Sequence, residues 1–265
     1  MKNSSVIKIR NADLFLSEKQ VLFDINWEVS QGDNWFVLGP NGSGKTTLTR
    51  MIMGYIWPKF GAEITVNNKT FGKCDVTAVR KNIAWVSPFL GNWTSSRKWT
   101  VEEIVISGID STIGLFRDST TLEKENAFEI LKILESTDLY NKLFTELSSG
   151  EQIKVLIARA LISKPLIMIL DEACAYLDLK SREFLLDTVN SLANDNNSPT
   201  IIFVTQRIED IIPALNKGLI ISDGKIITSG DREKVLTENN IEKTFNMSVK
   251  LIKTKSGRLW PFVDK

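Results

Sequence analysis

Apolar residues alternate with polar ones near the start of the chain, which is the pattern of a half-buried β-strand. Ile7 and Ile9 alternate with charged residues, and apolar residues recur at every second position over 25–29. The run 35–38 is apolar throughout and predicts a short continuous strand. The chain therefore opens with strand character.

The pattern becomes helical between about residues 90 and 165. Two capping boxes open helices in this stretch, Thr100 with Glu103 and Thr120 with Glu123. Apolar residues spaced three and four apart mark the buried faces of two helices. These positions are Ala127, Ile130, Leu131 and Leu134 in the first helix, and Ile153, Leu156, Ile157, Ala160 and Leu161 in the second.

Strand and helix patterns alternate in the last third of the chain. Apolar runs at 166–170 and 201–205 predict two strands, with a helix over 181–192 between them. Asp223-Gly224 lies between two apolar stretches and is a strong signal for a two-residue hairpin. Strands that alternate with helices predict an α/β fold, here with a helical insertion near its middle.

The composition excludes several kinds of site. The chain has 265 residues and no histidine, so Ser-His-Asp and Cys-His relays and His-containing zinc sites are excluded. Its two cysteines, Cys74 and Cys174, are too few for an all-cysteine zinc site and form no CxxC pair, so we expect reduced thiols. A formal net charge of +1 gives no overall signal for nucleic acid, which we do not predict as a partner.

The apolar segments indicate a chain that does not span a membrane by itself. Lys8 and Arg10 interrupt the first apolar residues, so the apolar core of a signal peptide is missing. The longest apolar runs, such as 166–170, are far too short to cross a bilayer. We expect a cytoplasmic protein, which could still lie at the inner face of a membrane through a partner.

The sharpest chemical feature is a glycine-rich loop between the strand at 35–38 and a helix predicted over 46–55. In such a loop, backbone N–H groups and a helix N-terminus bind phosphates, Lys45 supplies a positive charge, and the Thr46 hydroxyl can ligate Mg²⁺. The alternative is a glycine-rich turn that happens to contain lysine. The loop fits GxxxxGK[ST] and, with the next threonine, consists of Gly39, Pro40, Asn41, Gly42, Ser43, Gly44, Lys45, Thr46 and Thr47.

Two carboxylates follow the apolar run at 166–170. In P-loop nucleotidases an aspartate at the carboxyl end of such a strand holds Mg²⁺, which predicts this role for Asp171. Glu172 would project to the other side and could polarise an attacking water, so it is the candidate catalytic residue. The alternative is a buried strand whose acidic end simply meets solvent.

A third motif lies at the start of the helix that precedes the carboxylate strand. It consists of Leu147, Ser148, Ser149, Gly150 and Glu151, with Gln152 next. Together with the phosphate loop, the carboxylates and a D-loop-like segment at 175–178, it resembles the ATP-binding-cassette (ABC) ATPases, whose signature reads LSGGQ. The resemblance covers nearly the whole chain. Residues 107–115 more weakly resemble the metal- and molybdate-uptake branch of the transporters' ATP-binding subunits.

The resemblance implies an architecture and a set of ligands. The fold would be α/β, a P-loop NTPase core with a mostly parallel sheet, flanking helices and an N-terminal antiparallel β part. Residues 1–265 would form one domain, with its core at about 1–90 and 164–265 and an α-helical subdomain at about 91–163. The cofactors would be ATP and Mg²⁺.

The resemblance also implies partners. Two copies, or a copy and a related cassette, would form a head-to-tail dimer around two ATP molecules. Each ATP would then lie between the phosphate loop of one subunit and the signature of the other. Ser148 and the N–H groups at Gly150 could supply that second phosphate site, while Ser148 could also be a plain helix N-cap. A separate transmembrane permease chain is a further expected partner.

Two residues depart from the family at positions concerned with hydrolysis. Ser87 follows the strand predicted over 83–86 where the family has a glutamine that contacts Mg²⁺; it could ligate the metal, or it is only part of a Ser-Pro turn. Gln206 stands in place of the switch histidine and could donate a hydrogen bond to a γ-phosphate, unless it is a surface residue. We therefore expect a slow ATPase. A pH–rate limb near pH 6.5 would need a source other than histidine.

The adenine site and the partner surface are less sharply predicted. Leu16 aligns with the aromatic residue on which the family stacks adenine, and Phe15 beside it could replace that residue if the register shifts by one. Trp85, Trp93 and Trp99 lie in the segment that faces a membrane partner in the family. They could contact that partner, or they could be core residues.

Three functions remain open from the sequence. The first is the energy-coupling, ATP-hydrolysing subunit of a transporter. The second is a soluble cassette that uses ATP binding as a regulatory or interaction switch, which Ser87 and Gln206 favour. A ribosome- or nucleic-acid-associated cassette ranks third, because such proteins generally carry two cassettes and basic linkers.

Overall fold

Two β-sheets pack face to face through a shared layer of apolar side chains. The structure, a computed structural model, describes residues 5–93, 98–195 and 198–263, without the side chains of 91–93. The first sheet is antiparallel. Its strands, in spatial order, are β2 (Lys19–Ser30), β1 (Ser5–Leu16), β4 (Glu63–Val66) and β5 (Lys69–Thr70).

The second sheet is mostly parallel and forms the centre of the fold. Its strands, in spatial order, are β10 (Lys225–Asp231), β9 (Lys217–Ser222), β3 (Trp35–Leu38), β8 (Thr200–Thr205), β7 (Ile167–Asp171) and β6 (Ile83–Val86). Only β10 pairs antiparallel, with β9. Strands β3, β7 and β8 are buried along their whole length, because apolar layers cover both faces of the sheet. This burial explains why their sequences read as continuous apolar runs.

Helices pack on both faces of the parallel sheet, because residues of the first two helices belong to the apolar layer shared with the antiparallel strands and residues of the later helices belong to the layer on the other face. They are α1 (Lys45–Ile52), α2 (Val76–Arg80), α3 (Pro88–Trp93), α4 (Val101–Ile106), α5 (Thr121–Ile133), α6 (Ser149–Ile162), α7 (Leu179–Ala193), α8 (Arg232–Val235) and α9 (Glu238–Phe245). Single 3₁₀ turns occur at Thr137–Leu139, Phe144–Glu146 and Ile208–Asp210. The predicted α/β fold, with its helical insertion between β6 and β7, is confirmed.

Both predicted capping boxes are present in the helical insertion. Thr100 accepts a hydrogen bond from the N–H of Glu103 at the start of α4, and Glu103 bonds back to Thr100. Thr120 and Glu123 do the same at the start of α5. Trp99 lies in the core beside these helices, with its ring 5.3 Å from that of Phe116, so it is not a surface residue. The side chain of Trp93 lies outside the described residues.

Helix α1 is shorter at its C-terminal end than the sequence predicts. It ends at Ile52 rather than near Tyr55. Gly54 has a φ of +67°, a left-handed conformation that turns the chain out of the helix. The helix periodicity did not reveal this because apolar residues continue past the turn.

The chain ends in a two-stranded hairpin that the sequence analysis did not predict. Strand β11 (Lys250–Lys253) pairs antiparallel with β12 (Leu259–Phe262), and β12 packs against the 3₁₀ turn at Ile208–Asp210. Among the residues that the structure describes, none belongs to a helix long and apolar enough to cross a membrane.

Candidate functional site

The glycine-rich loop lies at the carboxyl end of β3 and leads directly into α1. Gly44 is the N-cap of this helix and has a φ of +105°, which favours glycine. A Cβ atom at Gly39 would lie 2.1 Å from the carbonyl oxygen of Ile221, so no other residue fits there without a backbone shift. The loop therefore passes close to β9 and presents the N-terminus of α1 at its centre, as a phosphate site requires.

Lys45 is the first residue of α1 and its side chain is buried in the loop. Its Nζ donates hydrogen bonds to the carbonyl oxygens of Gly39 at 2.9 Å and Pro40 at 3.0 Å. The same Nζ forms an ion pair with Glu172 Oε1 at 3.3 Å. The hydroxyl of Ser43 is also buried, without a hydrogen-bond partner among the described residues. The loop thus holds a positive charge and an unsatisfied hydroxyl around its centre, which suits an anionic ligand.

Asp171 ends β7 beside the first turn of α1. Its Oδ1 accepts a hydrogen bond from Thr46 Oγ1 at 3.4 Å, and its Oδ2 accepts one from Thr49 Oγ1 at 3.3 Å. Burial, and secondly the nearby charge of Glu172, raises the pKa of Asp171 to about 6, while the two threonine hydroxyls oppose the shift. The sequence analysis missed Thr49, although it lies one helical turn after Thr46 and on the same face.

Glu172 has a left-handed backbone with a φ of +51°. Its N–H donates to the carbonyl oxygen of Val204 on β8 at 3.0 Å, which fixes the turn after the strand. Its side chain is partly exposed and points towards Lys45, whereas Asp171 points into the protein. The two carboxylates therefore diverge, as expected for a metal ligand and a residue that faces water.

The oxygen atoms near Asp171 fit a magnesium ion. Mg²⁺ prefers oxygen ligands and is commonly held by one or two protein side chains together with phosphates. Thr46 Oγ1 and Asp171 Oδ1 lie 3.4 Å apart, and Ser87 lines the same cleft. Within 5–93, 98–195 and 198–263, no group of three or more Cys, Asp or Glu side chains could hold a metal alone. Such a cation would therefore depend on the phosphates as well.

Ser87 follows β6 and is buried. Its Oγ accepts a hydrogen bond from the N–H of Phe89 at 3.4 Å, the bond expected of a Ser-Pro turn. Both interpretations of this residue are thus compatible with its position, because the hydroxyl belongs to the turn and also reaches the cleft beside Asp171.

A cleft of about 570 Å³ lies over the phosphate loop. Strand β2 forms its far wall with Gln20, Val21 and Phe23, and Asp223-Gly224 closes one end. Phe15 and Leu16 do not line this cleft; both are exposed at the end of β1. Phe23 is an aromatic residue of this cleft that the sequence analysis did not single out. Its N–H donates to the carbonyl oxygen of Gly224 at 2.9 Å, which holds β2 at the edge of the cleft.

A second cleft of about 630 Å³ lies on the other side of the carboxylates. Exposed aromatic side chains line it, namely Tyr55, Phe89 and Tyr176. Trp85 also lines it, half-buried between this cleft and the helical insertion. The phosphate loop, the carboxylates and Ser87 are thus brought together between two open clefts.

The signature segment (147–152) begins helix α6. Ser148 is its N-cap, since Ser148 Oγ accepts a hydrogen bond from the N–H of Glu151 at 3.4 Å. Glu151 Oε2 accepts bonds from the N–H and the hydroxyl of Ser148 at 2.8 and 2.7 Å. These hydrogen bonds, the hydroxyl bond foremost, lower the pKa of Glu151. The N-cap interpretation of Ser148 is confirmed, and the residue is also exposed at a helix N-terminus.

The rest of the signature segment contacts the D-loop-like segment at 175–178. Ser149 is exposed, and its Oγ donates to the carbonyl oxygen of Tyr176 at 3.3 Å. Gly150 packs so closely on α7 that a Cβ there would lie 2.2 Å from Ser181 Oγ. Leu147 is buried and anchors the segment in the core. The exposed polar residues at the N-terminus of α6 are therefore held in place by Leu147 in the core and by the packing of Gly150 on α7.

Gln206 follows β8 and is partly exposed, and it lines neither cleft. The chain around it is held by Thr205, whose Oγ1 donates to Asp210 Oδ2 at 3.1 Å and accepts from the N–H of Arg207 at 3.0 Å. Cys174, near the carboxylates, is buried, and this burial raises the pKa of its thiol, so it is not a nucleophile.

Comparison with known proteins supports the resemblance. A family model described as ABC transporter matches residues 22–175, more than half of the chain. The ABC transporter ATP-binding protein YlmA of Bacillus subtilis is 34% identical over 93% of each chain. Among solved structures, a metal-chelate type ABC transporter in an inward-facing conformation has a TM-score of 0.81 and 25% identity, covering 98% of this chain and 99% of the other.

A second solved structure is a bacterial ABC transporter cassette in dimeric form. Its TM-score is 0.71, with 25% identity over 85% of this chain and 98% of that one. The P-loop core, the antiparallel sheet and the inserted helices are thus shared with cassettes of known structure. This chain is a member of the ABC transporter family.

Proposed function

We propose that this chain is the subunit of an ABC transporter that binds and hydrolyses ATP. The observation that carries the proposal is the convergence of four groups at one edge of the parallel sheet. The N-terminus of α1, the ammonium of Lys45, the Asp171 carboxylate and the Glu172 carboxylate meet there although they come from distant parts of the chain.

The phosphate loop would bind the nucleotide's phosphates. Backbone N–H groups over 39–47 and the positive end of the α1 dipole favour an anion, and Lys45 adds a full positive charge. Lys45 is already held above the loop by the carbonyl oxygens of Gly39 and Pro40, so little side-chain entropy is lost when phosphate arrives. The cleft lined by β2 would receive the base and the ribose.

The two carboxylates would have different roles, one in binding the metal ion and the other in activating water. Asp171 and Thr46 would hold Mg²⁺, with Ser87 within reach of the same cleft. When bound, the metal ion neutralises the charge that develops on the phosphates. Glu172 would orient and polarise the attacking water, since it is the partly exposed carboxylate. Gln206 would donate a hydrogen bond to the γ-phosphate once the dimer closes.

Two copies would close around two nucleotides in a head-to-tail dimer. The exposed N-terminus of α6, with Leu147, Ser148, Ser149, Gly150 and Glu151 in the signature segment, would face the phosphate loop of the other subunit. The dimeric cassette that this fold matches supports the arrangement. Ser148 would change its hydrogen bond from Glu151 to the incoming phosphate.

The membrane partner would be a separate permease chain that docks beside the second cleft. A neighbouring cleft of about 380 Å³, between α2 and α6, supports this. It contains Arg159, which is buried, donates to the carbonyl oxygen of Thr112, and has no acidic partner among the described residues. Burial lowers the pKa of Arg159 to about 10. Docking would place the chain at the inner face of a membrane, and the metal-chelate branch is the one that the structural match favours.

A second function is a cassette that uses ATP binding only as a switch. The observation that favours it is the pair of neutral residues, Ser87 and Gln206, at positions concerned with hydrolysis. Steady-state ATPase activity of the wild type and Glu172→Gln separates the two functions. We expect slow but measurable turnover that the substitution reduces by about 100-fold or more. Turnover that the substitution leaves unchanged would reject the enzymatic proposal.

The transporter role has its own test. The chain, expressed from its own locus with a tag, should co-purify from membranes with a multi-span protein. If the tagged chain is absent from the membrane fraction and has normal ATPase activity, the result would favour the switch function instead.

A further inference from the structure

The C-terminal hairpin contacts the segment that carries Gln206. Strand β12 packs against the 3₁₀ turn Ile208–Asp210, which begins two residues after Gln206. The hairpin has no role in the site described above. Its contact with this turn is therefore a feature that the proposed function does not use.

A side chain just before the hairpin's second strand adds hydrogen bonds to this contact. Arg258, in the connection before β12, donates from both Nε and Nη2 to the carbonyl oxygen of Glu209, at 2.9 and 2.6 Å. Its Nη1 forms an ion pair with Glu183 Oε2 on α7 at 2.5 Å. The guanidinium is largely shielded, with 11% of the side chain exposed. Because the guanidinium is planar and binds one carbonyl oxygen through two N–H groups, it fixes both the position and the direction of that carbonyl group.

The peptide that Arg258 holds is tied back to the residues on both sides of Gln206. Asp210, next to Glu209, is buried and accepts hydrogen bonds from Thr205 Oγ1 at 3.1 Å and Arg182 Nε at 2.5 Å. Thr205 in turn accepts from the N–H of Arg207 at 3.0 Å. Residues 205–210 thus form one hydrogen-bonded unit, anchored by α7 on one side and by the hairpin on the other.

We propose that Arg258 is a positioning residue that sets the direction of Gln206 through the backbone of Glu209, which makes the C-terminal hairpin part of the hydrolytic switch. The inference rests on the proposed role of Gln206. A neutral glutamine amide can bind a phosphate oxygen only through a hydrogen bond, which weakens steeply with distance and angle, so this bond depends on where the backbone of Gln206 is held. Because a misplacement of about 1 Å can cost about 100-fold in rate, a modest shift of this loop should reduce turnover.

The test compares Arg258→Gln with Glu183→Gln. The first removes both bonds to Glu209, while the second removes only the ion pair and leaves those bonds intact. We expect Arg258→Gln to lower kcat about five-fold, with the Kd for ATP changed by less than about two-fold. Glu183→Gln should keep the wild-type kcat. An equal fall in both variants, or a Kd that rises with the fall in kcat, would overturn the inference.

A double-variant cycle with Gln206→Ala shows whether Arg258 acts through Gln206. In the Gln206→Ala background, Arg258→Gln should cause no further loss, because the amide it positions is gone. A multiplicative loss would overturn this inference alone. A wild-type kcat in Gln206→Ala itself would overturn both the switch role of Gln206 and this inference.

Arg258→Lys keeps the test decisive if Arg258→Gln fails to fold. Lysine retains the charge and can still pair with Glu183, but it cannot present the two-pronged fork to the Glu209 carbonyl. Its kcat should be reduced about as far as that of Arg258→Gln, with a thermal midpoint close to that of the wild type. A wild-type kcat in Arg258→Lys would reject the positioning role.

Discussion

Lys45 and Glu172 form an ion pair across the phosphate loop, with 3.3 Å between Nζ and Oε1. The lysine that would bind the γ-phosphate is thus held by the carboxylate that would polarise water. In the proposed function, nucleotide binding would separate them, since a phosphate would take the place of Glu172 beside Lys45. The same step would release Glu172 towards the attacking water.

This ion pair leads to a prediction for Glu172→Gln. The neutral amide no longer attracts Lys45, so the nucleotide does not have to displace a charge. We expect the Kd for ATP to fall about two- to five-fold, an effect on the scale of a partly exposed ion pair. Equilibrium binding of ATP measured without turnover, in the wild type and in Glu172→Gln, checks it. A weaker affinity in the variant would contradict a competing ion pair.

Lys45→Ala should have the opposite effect. It removes the positive charge from a buried position above the loop, and we expect ATP binding to weaken by about 100-fold or more. Lys19→Ala, at the outer edge of the same cleft, is the matched control and should change the Kd by less than about three-fold. Normal ATP binding by Lys45→Ala would reject the assignment of the phosphate loop.

The raised pKa of Asp171 predicts a pH-dependent stability. Its pKa rises from 3.8 to about 6 on folding, chiefly because the carboxyl is buried. The protonated form therefore favours the folded state below about pH 4, and this contribution is lost as the pH rises through 6. Above that pH the buried carboxylate costs on the order of 3 kcal/mol in free energy of unfolding.

Asp171→Asn should therefore be more stable than the wild type at pH 8 and no more stable at pH 4. The measurement is the thermal midpoint, without nucleotide and with EDTA present so that no metal ion compensates the charge. Asp187→Asn, at an exposed position on α7, is the control and should show no such difference. A midpoint that falls at pH 8 would mean that the carboxylate is stabilised in the folded protein.

The local parts of the site follow from the sequence because neighbouring residues specify them. The loop between β3 and α1 and the capping boxes depend on residues within a few positions of one another, and the structure has them where the patterns predict. The bond from Thr49 to Asp171 joins residues 122 positions apart. It depends on the strand order, which places β7 near β3 with only β8 between them, and no local pattern encodes that order.

The same reasoning explains the other residues that the sequence analysis missed. Phe23 lines the cleft because β2 pairs with β1 and bonds to Gly224 at the edge of the cleft, while Phe15 on the neighbouring strand is exposed. The C-terminal hairpin has no two-residue turn signal of the Asp-Gly kind, and its four-residue strands are too short for a clear alternation. The sequence analysis accordingly gave Arg258 no role.

Ser148→Ala tests whether the signature segment does more than begin a helix. Loss of an N-cap should cost about 1 kcal/mol in free energy of unfolding. Thr120→Ala is a matched control, because Thr120 caps α5 through the same kind of box as Ser148 caps α6. The two variants should lose similar thermal stability, measured by their midpoints.

Only Ser148→Ala should lose ATPase activity, by about ten-fold or more, since only Ser148 would contact the phosphate of the other subunit. ATP-dependent dimerisation of a slow-hydrolysis background, measured by light scattering, should weaken in parallel. Equal activity losses in Ser148→Ala and Thr120→Ala would indicate that Ser148 acts only as a helix cap.

Phe23→Ala tests which aromatic residue meets the adenine. Phe23 lines the cleft beside the phosphate loop, and its ring lies 5.3 Å from Lys225 Nζ, so the ring and a positive charge already border the space. A base stacked on the ring should lose about 1–3 kcal/mol of binding when the ring is removed, so the Kd for ATP should rise by about five- to 150-fold. Phe15→Ala and Leu16→Ala should change the Kd by less than about two-fold, because both side chains are exposed and neither lines the cleft. Inorganic triphosphate, which has no base, provides the internal control, since its affinity should be the same in Phe23→Ala and the wild type. A loss of ATP affinity in Phe15→Ala or Leu16→Ala instead would place the adenine at the end of β1.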